Sequence, residues 1–385
     1  MSELPQVSVV MAVRDGERWL SEAIDSVLAQ TFEDLEFVVI DDGSVDSTPQ
    51  LLAKYVARDP RIRIVRQEPR GLVPALNRGL AEARASFTAR LDADDVAASN
   101  RLELQVSYLK NHPDVALVGS WAEKIDARGH GNGQARPATG HNELVRVLAK
   151  SNPFLHSSVM FRTSVVRDLG GYRPVFEEAE DYDLWLRISE RAKIANIPEP
   201  LVRRRPHYGD FSQKKIIRGM FSVRLAKKAA QHRRSIGVDT LSAVNSAPDW
   251  WSDAIQNEFY ADDARVFRFL ELADYAMANS ADFSRIDLAG FRQEIPRLNH
   301  AERKFAQQAV INLLHRSGRP PNLSRKHLIS TLFRLHPSRA FRLIWTELSR
   351  SRSGGRSTQP SLDDDSLAKP GSAGKRGSGN AASPP

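Results

Sequence analysis

The chain has 385 residues, of which 41% are hydrophobic and none is cysteine, and its formal net charge is +8. The length predicts two domains plus a tail, and the absence of cysteine excludes disulfides, thiolate chemistry and zinc–thiolate sites. No apolar run approaches the ~18 residues that span a bilayer and no signal peptide is evident, so we expect a soluble or peripheral protein. Its positive charge suits nucleic acid, an anionic membrane surface or a phosphorylated substrate as a partner.

The first part of the sequence alternates buried strands with amphipathic helices. Residues 7–13 are predicted to form a fully buried strand, and the helix after it repeats apolar residues at helical spacing. Thr48-Pro49 opens a second helix with a cap and an N1 proline. Further strands are expected at 35–40, 62–65 and 87–91, with another helix at 72–83. This series predicts the α/β fold class, with a Rossmann-like, mostly parallel sheet flanked by helices.

The same domain is expected to continue to about residue 210. It includes a helix at 101–110, a strand at 115–119, a Gly-rich loop at 129–140, a strand at 157–161 and a helix at 178–191. Beyond this point only helices are predicted, at 212–235, 249–279, 284–296, 300–316, 323–334 and 337–350. The expected organisation is therefore residues 1–210, an all-α C-terminal region at 211–350, and a tail at 351–385 whose composition predicts disorder.

Three acidic sites lie at predicted strand ends or helix starts: Asp41-Asp42, Asp92-Ala93-Asp94-Asp95 and Glu180-Asp181. Each has an ordinary structural explanation in a turn, a helix cap or a charge at a helix N-terminus. A divalent cation explains the densest cluster more simply, because hard ions select carboxylate oxygens. A calcium EF-hand is excluded, since Val96 and Ala97 stand where that loop requires an oxygen ligand and glycine. Two of the three sites, Asp41-Asp42 and the 92–95 cluster, follow strands of one predicted sheet, so we expect them at the same edge.

Residues 7 to about 205 resemble an inverting family-2 glycosyltransferase with the GT-A fold. The resemblance rests on Val-Ser-Val-Val-Met near the start, Ser-Val-Leu-Ala-Gln-Thr-Phe at 26–32, Val-Ile-Asp-Asp-Gly-Ser at 39–44, residues 71–77, Leu-Asp-Ala-Asp-Asp at 91–95 and Glu-Asp-Tyr-Asp-Leu-Trp at 180–185. The chain departs from the family pattern at Arg14-Asp15, where an aromatic residue and Asn are common, and at 99–101, which lacks the usual proline. These departures concern the donor pocket.

The resemblance implies the roles of individual residues. The nucleotide-sugar donor is contacted by Asp41, Asp42, Arg70, Asn77 and Asp92. A metal ion, Mg²⁺ or Mn²⁺, is bound by Asp94, with Asp92 and His207 as further candidate ligands. Asp181 is the catalytic base. His156 and His207 either touch the diphosphate or metal or are ordinary surface or core histidines.

These roles suit glycosyl transfer from a nucleoside diphosphate. The metal neutralises charge on the leaving group, and a carboxylate takes the proton of the acceptor hydroxyl, so direct displacement inverts the anomeric centre. A glycoside hydrolase instead protonates its leaving oxygen and needs no metal–diphosphate site. The alternative from another class is a non-catalytic module that holds a nucleotide sugar on a degenerate transferase fold, and retention of Asp94 and Asp181 argues against it.

The expected enzyme is of the hexosyltransferase type, with an unspecified donor and a glycan or lipid-linked acceptor of the cell envelope or an exopolysaccharide. A Gln-x-x-Arg-Trp motif beside transmembrane helices is typical of processive members and is absent, so we expect one sugar per encounter. Nucleic acid is not an expected partner, because the sheet edge is acidic. We expect a cytoplasmic protein. Its basic helix at 213–235 either packs on the transferase domain or attaches peripherally to the anionic inner face of the membrane.

Overall fold

The structure, a computed structural model, describes residues 4–176, 178–205, 213–244, 288–315 and 324–336, with a few single residues between 259 and 270 and Ala340. Met1–His336 form one compact unit and Pro337–Pro385 a second. Predicted helix 249–279 lies mostly, and the tail entirely, outside the described residues, as does most of 337–350. All strands and helices with described bounds belong to the first unit.

Nine strands in the described residues form one mixed, mostly parallel sheet with the order β3-β2-β1-β4-β8-β6-β9-β5, and β7 pairs with β6. Strands β3, β2, β1 and β4 are mutually parallel, as are β6 and β9, whereas β5, β7 and β8 pair antiparallel with their neighbours. The strands are β1 Val7–Val13, β2 Leu35–Asp42, β3 Ile62–Gln67, β4 Phe87–Arg90, β5 Val96–Ala97, β6 Val115–Ile125, β7 Gly131–Ala135, β8 Met160–Arg162 and β9 Lys193–Arg204.

Helices flank this sheet and continue beyond it. They are α1 Leu20–Leu28, α2 Thr48–Val56, α3 Leu72–Glu82, α4 Arg101–Asn111, α5 His141–Leu148, α6 Thr163–Asp168, α7 Glu180–Ser189, α8 Gln213–Ile236, α9 Leu288–Glu294, α10 His300–His315 and α11 Arg325–Leu335. Short 3-10 turns occupy His156–Ser158, Pro174–Phe176 and Ile295–Arg297. The predicted α/β fold with a helical C-terminal region is confirmed, and the expected Gly-rich loop is corrected, since part of it forms the exposed edge strand β7.

The central strands are buried on both faces, as their continuous apolar sequence predicts. Every residue of β2 is buried, and β1 is nearly so. Helix α3 approaches β1 at Gly79, where a Cβ atom would lie 2.4 Å from Cγ1 of Val10. Glycine at this position therefore allows close packing of the helix on the strand.

A buried carboxylate ties the amino ends of the first strands together. Glu36 of β2 accepts hydrogen bonds from the Ser8 hydroxyl of β1 (2.7 Å), from Arg63 of β3 (3.0 Å) and from the backbone and guanidinium of Arg84 before β4 (2.7 and 2.8 Å). Burial alone would raise the pKa of Glu36, but these donors lower that pKa below the ordinary glutamate value. This cluster lies at the sheet edge opposite the acidic loops, so it serves the fold.

The basic helix α8 places its apolar side chains in the protein interior. Ile217, Phe221 and Leu225 are at most 1% exposed. Several of its cations contact acids of other segments: Arg224 pairs with Asp263 and Glu302, and Arg233 with Glu190 and Asp239. The apolar face is thus used for packing, and none of the described helices combines the length and apolar character needed to cross a bilayer.

Candidate active site

The carboxyl ends of β1, β2 and β4 meet at one edge of the sheet, because these three strands are parallel neighbours. The loop after β1 and the loop after β2 are joined there by hydrogen bonds from the Asp15 N–H to the Ser44 hydroxyl (3.0 Å) and from the Val45 N–H to the Asp15 carboxylate (2.8 Å). Asp15 has φ 51°, a left-handed conformation that Asp tolerates. Together these loops form the first wall of the candidate site.

Asp41 and Asp42 end β2 at this wall and are almost fully buried. Asp41 accepts a hydrogen bond from the Ser44 N–H (2.9 Å) and lies 3.5 Å from the Arg66 guanidinium. Asp42 accepts hydrogen bonds from Gln67 (2.7 Å) and from the N–H groups of Arg70 and Gly71 (both 2.8 Å). Asp42 therefore holds the backbone at the start of α3, and this structural role is independent of any contact that Asp42 makes with a ligand.

Of the other predicted donor contacts, Arg70 presents an exposed side chain, whereas the Asn77 amide faces the protein. Its Nδ2 donates to the Tyr172 carbonyl (2.7 Å) and its Oδ1 accepts from the Tyr172 N–H (2.9 Å). Asn77 thus joins α3 to the segment that precedes helix α7.

Asp92 follows β4 and sits beside a buried arginine. Its carboxylate pairs with the Arg90 guanidinium and accepts a hydrogen bond from the Ser157 hydroxyl (2.7 Å). Arg90 also donates to Ser157 Oγ (3.1 Å). Burial would raise the pKa of Asp92, but the charge of Arg90 and these hydrogen bonds lower that pKa below the ordinary aspartate value. Asp92 is therefore held as a carboxylate.

Asp92, Asp94 and Asp95 form the acidic cluster, in which one carboxylate oxygen from each lies within 4.8 Å of the others. Arg205 at the end of β9 orients this loop, because its N–H donates to Asp95 (2.8 Å) and its guanidinium to the Asp94 carbonyl (3.1 Å). Burial, followed by the charges of Asp92 and Asp94, raises the pKa of Asp95 to about 7. Three crowded hard oxygen ligands whose repulsion a cation would relieve fit a divalent metal ion.

Asp181 lies in the first turn of α7, partly buried. Its Oδ1 accepts the Tyr182 N–H (2.5 Å) and its Oδ2 accepts Asn152 Nδ2 (2.8 Å). Burial raises the pKa of Asp181 above the ordinary aspartate value, and these two donors and the charge of Arg90 partly oppose that rise. The structure thus brings Asp181 within electrostatic range of Asp92 and Arg90.

His156 lies behind the acidic groups. Its Nε2 is 3.0 Å from the Tyr172 hydroxyl, its Nδ1 is 3.8 Å from a Glu180 oxygen, and its ring packs edge-on against Trp185. Burial, then the charge of Arg90, lowers the pKa of His156 well below the ordinary value, so the ring is neutral. Burial and the charge of Asp181 raise the pKa of Glu180 to about 8. Of the two histidines considered from the sequence, His156 fits the core interpretation, and His207 lies outside the described residues.

Arg90, Asn152 and Ser157 were not identified as site residues from the sequence. Arg90 carried a signal, since a charged residue inside an otherwise apolar strand two positions before Asp92 points to the same face of the strand. No sequence signal marked Asn152 or Ser157 as a site residue. Asn152 is 29 residues from its partner Asp181, and Ser157 is 65 residues from its partner Asp92.

Comparison with known proteins matches a family model, described as glycosyl transferase family 2, to residues 8–170. The O-antigen biosynthesis glycosyltransferase WbnJ of Escherichia coli is 33% identical over 208 residues, which cover 53% of this chain and 81% of WbnJ. The amylovoran biosynthesis glycosyltransferase AmsE of Erwinia amylovora is 32% identical over 186 residues, covering 48% of this chain and 69% of AmsE. Both alignments thus cover about half of this chain.

A similarity in fold is seen with the crystal structure of S. aureus TarS, with a TM-score of 0.50 and 16% identity over 86% of this chain and 55% of TarS. The residues matched by the family model include Asp41, Asp42, Asp92 and Asp94, whereas Asp181 lies beyond their end.

Proposed function

The chain belongs to glycosyl transferase family 2, and on that premise we propose that this glycosyltransferase moves one sugar from a nucleoside-diphosphate sugar to an acceptor hydroxyl and inverts the anomeric centre. The observation that carries the proposal is that Asp181 lies within electrostatic range of Asp92, a member of the acidic cluster of Asp92, Asp94 and Asp95. One group of carboxylates suits a metal–diphosphate, and a separate carboxylate suits a proton acceptor.

Asp94, together with Asp92, is proposed to hold Mg²⁺ or Mn²⁺, and His207 is proposed as a further ligand. The carboxylate oxygens of the cluster are the ligand type that these ions prefer. When bound, the ion would act as a Lewis acid that neutralises negative charge on the departing diphosphate. Arg205 contributes by fixing the backbone of the Asp94–Asp95 loop.

The donor nucleotide is proposed to lie along the wall formed by the loops after β1 and β2. Asp41 and Asp42 would face the base, Arg70 and Asn77 the nucleotide, and Asp92 the ribose. Asp42 and Asn77 also hold the backbone of Gly71 and Tyr172, so substitutions there would alter the wall as well as any direct contact.

Asp181 is proposed to remove the proton of the acceptor hydroxyl. As that oxygen forms its bond to the anomeric carbon, the bond from this carbon to the diphosphate oxygen breaks, and the nucleoside diphosphate leaves with the electron pair. The proton ends on the Asp181 carboxylate, and attack from the face opposite the leaving group inverts the configuration.

A glycan or lipid-linked acceptor of envelope or exopolysaccharide synthesis is proposed, because WbnJ and AmsE are named for the biosynthesis of such polymers. We propose that residues 1–210 carry the donor and catalytic residues, that 211–350 form the helical C-terminal region, and that 351–385 are a tail.

A panel of nucleotide sugars tests the donor class. UDP-glucose, UDP-galactose, UDP-N-acetylglucosamine, GDP-mannose and dTDP-rhamnose would each be added with Mn²⁺, and the melting temperature measured. One of them is expected to raise it by several degrees, because a ligand that binds only the native state stabilises it. Melting temperatures unchanged by any of these donors would contradict nucleotide-sugar binding, and a retained anomeric configuration in the product would contradict inversion.

We propose a cytoplasmic location with peripheral contact at an anionic membrane. The membrane contact is proposed to depend on charge alone. The apolar residues Ile217, Phe221 and Leu225 of α8 are buried, so the net charge of +8 and exposed cations such as Arg234 would make the contact. Vesicle sedimentation checks this: pelleting is expected with anionic vesicles at low salt and is expected to disappear at about 0.5 M salt through screening. Pelleting that persists at high salt, or equal pelleting with neutral vesicles, would contradict a purely electrostatic contact.

A further inference from the structure

Asn152 occupies a loop whose conformation is fixed by its own sequence. The residue after it is Pro153, which restricts Asn152 to extended backbone conformations. Its Oδ1 accepts the N–H of Phe154 (3.0 Å), and the ring of buried Phe154 packs near Trp185 of α7. Because Oδ1 faces a donor, the other end of the amide must be the NH₂ group. The orientation of the Asn152 side chain is thereby settled by the backbone.

The NH₂ group of Asn152 points at Asp181. Nδ2 lies 2.8 Å from Asp181 Oδ2, and Asp181 Oδ1 is already held by the Tyr182 N–H at 2.5 Å. Two donors, one from the helix backbone and one from a neighbouring loop, therefore fix both oxygens of the carboxylate. Asn152 itself is exposed.

We propose that Asn152 is a positioning residue for transfer: it orients the Asp181 carboxylate toward the acceptor hydroxyl and stabilises its charged form. The inference rests on the proposed role of Asp181 as the base. A hydrogen-bond donor to the ionised carboxylate opposes the rise in the pKa of Asp181 that burial causes, and so favours the deprotonated form that can take a proton. A carboxylate free to rotate would present its lone pairs to the acceptor for only part of the time.

Other charged groups also act on Asp181. They are Glu180 on the same helix, Arg90 at the end of β4, Asp92 after it, and the Tyr172 hydroxyl. Arg90 lowers the pKa of Asp181, whereas Asp92 raises it. None of these four is altered by a change at Asn152, so a shift in the titration of Asp181 in an Asn152 variant reports the lost hydrogen bond.

Two substitutions separate positioning from a purely local role in the loop. Asn152→Ala removes both hydrogen bonds, whereas Asn152→Ser keeps an oxygen that can accept the Phe154 N–H but is too short to reach Asp181. Asn142→Ser, on the exposed side of α5, is the matched control. If Asn152 serves only to hold its loop, Asn152→Ser should show the wild-type titration of Asp181 and the wild-type kcat. If Asn152 positions Asp181, Asn152→Ser should show the same changes as Asn152→Ala.

The test is the titration of Asp181 in metal-free protein labelled with carboxyl-¹³C aspartate, with its signal assigned by its loss in Asp181→Asn. Both Asn152 variants are expected to raise the midpoint by about half to one pH unit, and Asn142→Ser to leave it unchanged. A midpoint equal to wild type in Asn152→Ser would overturn the inference.

The functional test measures kcat as the release of nucleoside diphosphate from the nucleotide sugars of the donor panel described above. Because the reactive form is the carboxylate, the acid limb of kcat in both Asn152 variants is expected to move to higher pH. The plateau of kcat is expected to fall about tenfold with KM for the donor unchanged, because the carboxylate is then oriented toward the acceptor for only part of the time. An unchanged kcat profile would also overturn the inference. Turnover retained in Asp181→Asn would instead contradict the base itself, so the two failures are distinguishable.

Discussion

Asp181→Asn is expected to lower the rate of sugar transfer about 10²- to 10⁴-fold while donor and metal binding stay near wild type. Asn keeps the volume of Asp and an acceptor oxygen, but it cannot take the proton of the acceptor hydroxyl. The structural cost is expected to be about 1 kcal/mol, because the Asn oxygen can still accept the Tyr182 N–H and only the hydrogen bond from exposed Asn152 is lost.

The measurement is kcat in a transfer assay, combined with calorimetric binding of UDP and Mn²⁺ to both proteins. Asp114→Asn is a suitable control, because Asp114 is an exposed carboxylate paired with Lys193 at 2.7 Å and belongs to the loop before β6. That variant should transfer sugar at the wild-type rate. An Asp181→Asn protein that keeps more than about a tenth of wild-type turnover would exclude Asp181 as the base.

The architecture of the acidic edge follows from local sequence. Uninterrupted apolar runs predict β1, β2 and β4 as buried parallel strands, and parallel strands place their carboxyl ends together. The acids after β2 and β4 therefore had to share an edge, and the structure confirms that they do. A different signal, the recurrence of apolar residues at helical spacing, predicted α7 and placed its start within two residues of the observed one.

Strand β9 was not predicted, for a physical reason. It contains Pro198 and Pro200, which cannot donate to a sheet ladder and normally mark a loop. The structure accommodates them where the pairing of β9 with β6 shifts register, between Ser120 and Trp121. This irregularity depends on the partner strand, so no local pattern reveals it. Yet the residue directly after β9 is Arg205, which fixes the Asp94–Asp95 loop.

The hydrogen bonds that orient the Asp181 and Asp92 carboxylates could not be predicted from the sequence either, because they also depend on residues distant in the chain. Asn152 meets Asp181 because the loop that contains Phe154 packs against Trp185 of α7, and Ser157 meets Asp92 because the turn at His156–Ser158 packs against β4. Such pairings are properties of tertiary packing, and an isolated Asn or Ser outside a strand or helix has no distinguishing sequence pattern. The carboxylates could thus be predicted individually, whereas the groups that set their orientation and pKa could not.

Asp94→Ala is expected to remove the metal dependence of donor binding while leaving the fold intact. With UDP as the probe, wild type should bind at least about tenfold more tightly with Mn²⁺ than with chelator, because a cation held by Asp94 would neutralise the carboxylate and diphosphate charges that otherwise repel. In the variant the two affinities should be equal. The melting temperature without ligand should change little, since Asp94 lies in the loop after β4 and outside the hydrophobic core.

Asp34→Ala supplies the matched control for this comparison, because Asp34 is an exposed acid at the opposite end of β2 from the site. It should retain the full effect of Mn²⁺ on UDP affinity. Equal UDP affinity with and without chelator in the wild-type protein would remove the proposed metal role altogether. A metal effect that survives Asp94→Ala would instead move the ligand assignment to Asp92 and Asp95, whose carboxylate oxygens lie within 4.8 Å of each other in the same cluster.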